Sequence, residues 1–280
     1  MKVAVIGAGQ MGSGIAHVLA QHEFKVKLYD ISQSQLERAF QIIWKNMGRQ
    51  AKKGMFEESK IEQFLSNIET INQLELLKDA DFFIEAATEN EKIKFELFKK
   101  LDNLAKPEAI LATNTSSISI TKIASVTKRP DKVIGMHFMN PVPVMKLVEI
   151  IRGLATSEDT YNKTMELAKT LGKEIAVASD YAGFIVNRIL IPMINEAIFA
   201  YFEGVASIQD IDKAMKLGTN QPMGPFELAD FIGLDTVLAI MEVLYNEFKY
   251  DKYRPCPLLV NMVRAGYLGR KVGKGFYDYQ

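Results

Sequence analysis

The first apolar run of the chain, Lys2–Ile6, stops at a cluster of glycines. An apolar-rich stretch with helical spacing, Ser13–Gln21, follows it. Further runs of strand length recur at Lys25–Tyr29, Asp81–Ala87, Ala109–Thr115 and Lys132–Met139. Helical patterns such as Glu91–Leu104 lie between them, so the alternation predicts a doubly wound, largely parallel α/β sheet. One interval is too long for a plain connection: about fifty residues separate Asp30 from Asp81. Two helical patterns, Gln33–Gln50 and Glu57–Leu65, fill it and are joined by Ala51-Lys-Lys-Gly54. They predict an inserted helical hairpin, an arm spanning about residues 33–65. Beyond the helix Ser157–Leu171 and the strand Glu174–Ala178 the alternation ends. Gly183–Phe202, Ile208–Leu217, Pro225–Phe231 and Leu234–Phe248 all read as helices. This predicts an α/β domain over 1–182 and an all-helical domain over 183–280.

Composition narrows the classes of function. With 34 basic and 34 acidic side chains among 280 residues, no global field favours nucleic acid or an anionic membrane. No apolar run approaches the length of a bilayer span. Met1–Ile6 runs straight into the glycine loop and reads as a core strand, not a cleaved signal. Cys256 is the single cysteine, so no internal disulfide forms, and a cytoplasmic location is expected. No metal site is expected.

The candidate chemistry begins at Gly7-Ala-Gly9-Gln10-Met11-Gly12, between a strand and a helix. That order is the dinucleotide fingerprint: the glycines allow a tight turn, close approach to a pyrophosphate and close helix packing. The second strand ends at Asp30, eighteen residues after Gly12. A carboxylate there accepts the adenosine ribose hydroxyls and repels a 2′-phosphate, so a Rossmann-type domain binding NAD is expected. In such sheets ligands sit beyond the carboxyl ends of the strands. That rim collects Gly7–Gly12, Asp30, Ala87–Asn90, Asn114–Ser117 and His137–Asn140.

His137 is one of three histidines, with Glu149 twelve positions on. Histidine carries protons near neutral pH, and its usual helper is a carboxylate. Lys132–Met139 and Val144–Ile150 read as strands, with Asn140-Pro-Val-Pro143 as the turn. A hairpin centred on Pro143 sets His137 directly opposite Glu149, although a slip of one residue would separate them. The competing reading is a satisfied strand-end histidine and an unrelated glutamate. Lys52 and Lys53 at the tip of the arm suit a phosphate-bearing substrate or are merely solvated. Asn187, one turn into a long helix, offers donor and acceptor atoms or lies on a surface.

Six segments together carry a resemblance across essentially the whole chain: Val5–Ala16, Ala112–Ser117, Gly135–Pro143, Asp180–Arg188, Met223–Asp230 and Arg270–Tyr277. In them the chain resembles the 3-hydroxyacyl-CoA dehydrogenases, most of all their short stand-alone type. The resemblance implies reversible NAD-dependent oxidation of an (S)-3-hydroxyacyl-CoA of short chain, 3-hydroxybutyryl-CoA, to the 3-ketoacyl-CoA. It implies His137 as acid/base, Glu149 as its partner, and Ser116 and Asn187 as substrate contacts. Asp30 matches the ribose carboxylate, Glu89 and Lys94 further cofactor contacts, and Asn114 the same cofactor-facing motif. Lys52 or Lys53 matches a lysine of the coenzyme A-binding arm. A homodimer is expected. Two rivals stand beside this reading: a dehydrogenase of the same fold acting on a free hydroxy acid or sugar acid, and an NAD-binding protein without turnover.

Overall fold

The computed structural model describes residues 1–279. The chain divides into two compact units, Met1–Tyr181 and Ala182–Gln280. In the first, eight strands form one sheet: β1 (Lys2–Ile6), β2 (Lys25–Tyr29), β3 (Ile68–Ile71), β4 (Phe82–Glu85), β5 (Ile110–Thr113), β6 (Val133–Phe138), β7 (Leu147–Arg152) and β8 (Glu174–Ser179). Their order is β3-β2-β1-β4-β5-β6-β7-β8. Every neighbouring pair is parallel except β6 and β7. The central strands β4, β5 and β6 are buried at every residue, the mark of a sheet covered on both faces. The edge strands β3 and β8 carry exposed positions.

The helices of this unit are α1 (Gln10–Gln21), α2 (Gln33–Lys52), α3 (Lys60–Leu65), α4 (Glu91–Leu104), α5 (Ile120–Ser125) and α6 (Glu158–Thr170). Ile15 and Leu19 of α1 and Leu36, Ile43 and Met47 of α2 join Val5, Leu28 and Ile84 in the core. The predicted doubly wound sheet is therefore present. The helical hairpin stands within it as the long crossover from β2 to β3.

Several bounds differ from expectation. Strand β3 was not expected: Ile68-Glu-Thr-Ile71 is too short to announce itself in a stretch of helical periodicity. Helix α5 was missed for the same reason of length. Helix α2 runs through Lys52, so Lys52 belongs to the helix and Lys53 caps it, instead of both lying in the connecting loop. Strand β7 begins at Leu147, three residues later than expected, because Val144 and Met145 still hydrogen-bond to Pro141 within the turn.

The second unit holds α7 (Val186–Phe202), α8 (Ile208–Gly218), α9 (Pro225–Ile232), α10 (Leu234–Phe248) and α11 (Pro257–Arg264), of which α11 was not expected. Helix α7 starts three residues later than predicted because Gly183 and Phe184 take positive φ angles of 75° and 47°. Ile191, Ile194, Ile198, Phe226, Val237, Met241 and Leu244 form its core. Asp212 and Asp230, both 1 % exposed, tie the C-terminal segment down. Asp212 accepts from the Tyr277 hydroxyl, and Asp230 from Phe276 N, Tyr277 N and the Tyr279 hydroxyl. No helix among the described residues is long and apolar enough to cross a membrane.

Candidate active site

The antiparallel pair β6–β7 brings His137 directly opposite Glu149, with the hairpin centred on Pro143 as its sequence requires. The His137 Nδ1 lies 2.7 Å from Glu149 Oε2. Glu149 is fully buried and His137 is 7 % exposed, so the contact is shielded from water. Shielding strengthens a charge-assisted bond and fixes the ring. With Nδ1–H donating to the carboxylate, Nε2 is the ring nitrogen that does not face Glu149.

Four side chains place the neighbouring loop. Asn114 Oδ1 accepts from Phe138 N at 2.8 Å, which ties the end of β5 to the residue after His137. Glu89 accepts from Thr115 Oγ1 at 2.7 Å and from Ser116 N at 2.8 Å. Ser116 Oγ also reaches Glu89, at 3.2 Å. The glycine loop joins the same rim through Gln10 Nε2 and Asn140 Oδ1, 3.1 Å apart.

The glycine loop fits a dinucleotide. Gly7 has φ +98°, and a Cβ on it would stand 2.6 Å from Ala87 Cα. A Cβ on Gly12 would stand 1.7 Å from the Gly7 carbonyl oxygen, so neither position admits another residue. Around Gly9 the space is open, as a bound pyrophosphate requires. Helices α2, α4, α5 and α6 each begin with a serine or asparagine side chain accepting from their first turn. Helix α1 begins at Gly9 with no such cap, so its first N–H groups and its dipole are left for an anion. Asp30 accepts from Ala8 N at 2.8 Å and Ser32 N at 2.9 Å, which fixes both carboxylate oxygens beside that turn. Each oxygen retains a second lone pair for a ribose hydroxyl. A cleft of about 570 Å³ opens there, lined by Gly7, Asp30, Ile31, Ala87, Ile93 and Lys100 among others.

A second cleft, of about 520 Å³, lies between α1, α2 and the 140–143 turn, and His17 lines it. Burial pushes the His17 imidazole down to about 4, so it is neutral near pH 7. Its Nε2 is 3.0 Å from Gln50 Oε1.

Residues 2–181 match the profile described as "3-hydroxyacyl-CoA dehydrogenase, NAD binding domain", and residues 183–279 match the corresponding C-terminal domain. The chain belongs to the 3-hydroxyacyl-CoA dehydrogenase family. It is 54 % identical to the 3-hydroxybutyryl-CoA dehydrogenase of Bradyrhizobium diazoefficiens, over 100 % of this chain and 95 % of that one. It is 53 % identical to the enzyme of the same name from Clostridioides difficile, over 100 % and 99 %. The crystal structure of (S)-3-hydroxybutyryl-CoA dehydrogenase from Ralstonia eutropha superposes with a TM-score of 0.97 at 49 % identity, over 100 % of this chain and 99 % of that one. As a member of this dehydrogenase family the chain is an NAD-dependent oxidoreductase, with NAD as its cofactor.

Not every residue expected at this family's site lies on the rim surface. Lys94 is 1 % exposed, and its ammonium is enclosed by Glu85, with Thr113 Oγ1 at 3.5 Å. Lys94, expected as a further cofactor contact, is thus paired inside the protein with Glu85. Met11 is half-buried against the core. Lys52 and Lys53 are exposed at the far end of α2. Asn187 lies half-buried in the first turn of α7, within the second unit. Glu85, which ends β4 and is fully buried, was missed. The available signal was an acidic residue closing the apolar run Phe82-Phe-Ile.

Proposed function

We propose that this chain reversibly oxidises (S)-3-hydroxybutyryl-CoA to acetoacetyl-CoA, with His137 and Glu149 as an acid/base dyad. The observation that carries the reading is the buried 2.7 Å contact between His137 Nδ1 and Glu149 Oε2 on the same rim as the glycine loop. Bound NAD supplies the hydride acceptor. In oxidation the C3 hydroxyl gives its proton to His137 Nε2 as the C3 hydride leaves, and C3 becomes a ketone. In reduction His137 returns the proton. Glu149 holds the ring and stabilises the imidazolium that forms. Ser116, held by Glu89, and Asn187 orient the C3 oxygen and the thioester carbonyl. Gly7, Gly9, Gln10, Met11, Gly12, Asp30 and Asn114 form the cofactor site, while Lys94 acts on it from within the protein.

The arm supports a coenzyme A thioester over a free acid. Helix α2 has 20 residues, a length of about 30 Å, and ends in exposed Lys52 and Lys53. A carrier with distant phosphates has use for cations at that range. The first domain, 1–182, holds the cofactor, and the helical domain, 183–280, serves substrate binding and homodimer formation in the cytoplasm. The test is NADH oxidation with acetoacetyl-CoA beside free acetoacetate and a longer 3-ketoacyl-CoA. Rapid turnover dependent on the thioester is expected. Silence with every thioester, despite NADH binding, overturns the reading.

A further inference from the structure

We propose that Glu85 is a positioning residue for the dinucleotide, the internal anchor from which three segments of the cofactor rim are held in register. It goes beyond the acid/base reading, rests on NAD as cofactor, and does not depend on the acyl substrate.

Glu85 ends β4 at the centre of the sheet, paired with Ile6 of β1 on one side and Thr113 of β5 on the other. Its carboxylate is fully buried. Oε1 accepts from Ala87 N at 2.9 Å and Thr88 N at 3.4 Å. Oε2 accepts from Thr113 Oγ1 at 2.8 Å and from the Lys94 ammonium. Thr113 Oγ1 in turn accepts from Thr115 N at 3.2 Å.

The consequence is geometric. The carboxylate fixes the 86–88 turn, and that turn presses on Gly7, where a Cβ would meet Ala87 Cα at 2.6 Å. Through Thr113 the same carboxylate fixes the start of the loop beyond β5, next to Asn114, while Ser116 is held separately by Glu89. Lys94 reaches in from α4 and pairs with the Glu85 carboxylate, so the anchor is tied to that helix as well. Glu85 touches no ligand position itself; it sets where the glycine turn and the loop beyond β5 stand relative to each other.

The test is a Glu85→Gln variant, whose amide sets an N–H against the Lys94 ammonium, with NADH binding titrated through its own fluorescence. The expected result is a rise of about tenfold or more in the NADH Kd. The KM for acetoacetyl-CoA at saturating NADH stays within about twofold, and the circular dichroism spectrum is unchanged. An unchanged NADH Kd in the folded variant overturns the proposal. Equal losses toward NADH and acetoacetyl-CoA also overturn it, since they mark a general structural role. If Glu85→Gln does not fold, Thr113→Val removes one tie and leaves the charge pair intact. A rise of about threefold in the NADH Kd is then expected, and a wild-type value overturns the proposal.

Discussion

The two units bury their carboxylates in different company. In the second, Asp212 accepts from Phe226 N at 2.8 Å, Glu227 N at 3.1 Å and the Tyr277 hydroxyl at 2.8 Å. Asp230 accepts from Phe276 N and Tyr277 N at 2.9 Å and the Tyr279 hydroxyl at 3.0 Å. Backbone amides do not titrate. Burial and the nearby aspartates push both phenols above their ordinary range, so they remain donors at working pH. These two carboxylates are fasteners. In the first unit Glu149 has spent its Oε2 on the His137 imidazole, a side chain able to take up or give a proton. Burial alone does not mark an active group. A carboxylate that faces an imidazole on the rim carrying the glycine loop is the one proposed to act.

Three substitutions sharpen that contrast. The largest effect is expected for His137→Ala. Removing a general base lowers turnover by about a hundred- to ten-thousand-fold. The NADH Kd, read by fluorescence titration, should stay near the wild-type value. Loss of NADH binding in step with turnover would mean that the histidine serves the fold. Asp230→Asn should do the reverse. Its amide presents an N–H to the donors of the C-terminal segment, at a cost of about 3 kcal/mol in unfolding free energy. Urea melts should register that loss. The pH profile of turnover should keep its shape, and a displaced profile would erase the distinction between the two units.

The smallest effect concerns His17, buried away from the dyad. Its folded-state value of about 4 lies below the ordinary 6.5, so the unfolded chain binds its proton more readily. The stability this group contributes is present above pH 6.5 and is lost as pH falls toward 4. Between pH 6.5 and 5 the loss is about 1.5 kcal/mol. His17→Gln removes it, so urea melts of the variant should fall less steeply across that window. An identical slope would show that His17 is not the group responsible.

How much was legible follows from what each feature depends on. The glycine turn, Asp30 and the register of His137 on Glu149 could be read because local rules decide them. A strand must end where glycines begin, and a hairpin centred on Pro143 has one pairing. Strand β3 was hidden by its four residues. The pairing of Lys94 with Glu85 was not legible, because helical spacing does not say which face meets a buried acid nine residues away. The C-terminal donors to Asp212 and Asp230, including the Tyr277 and Tyr279 hydroxyls, lie 46 to 65 residues distant, and such partners are set only by the tertiary fold. Glu85 is the sharpest case. An acid at the end of an apolar run looked like a strand boundary, and its four donors come from three separate segments.

The central claim is that Glu149 works through the charge of His137. The pH profile of hydroxyacyl-CoA oxidation in Glu149→Gln against the parent chain tests it most directly. Without the carboxylate the imidazolium loses its support, so turnover should fall by about tenfold or more and its acid limb should move to lower pH. A variant with the parental rate and the parental acid limb would contradict the dyad.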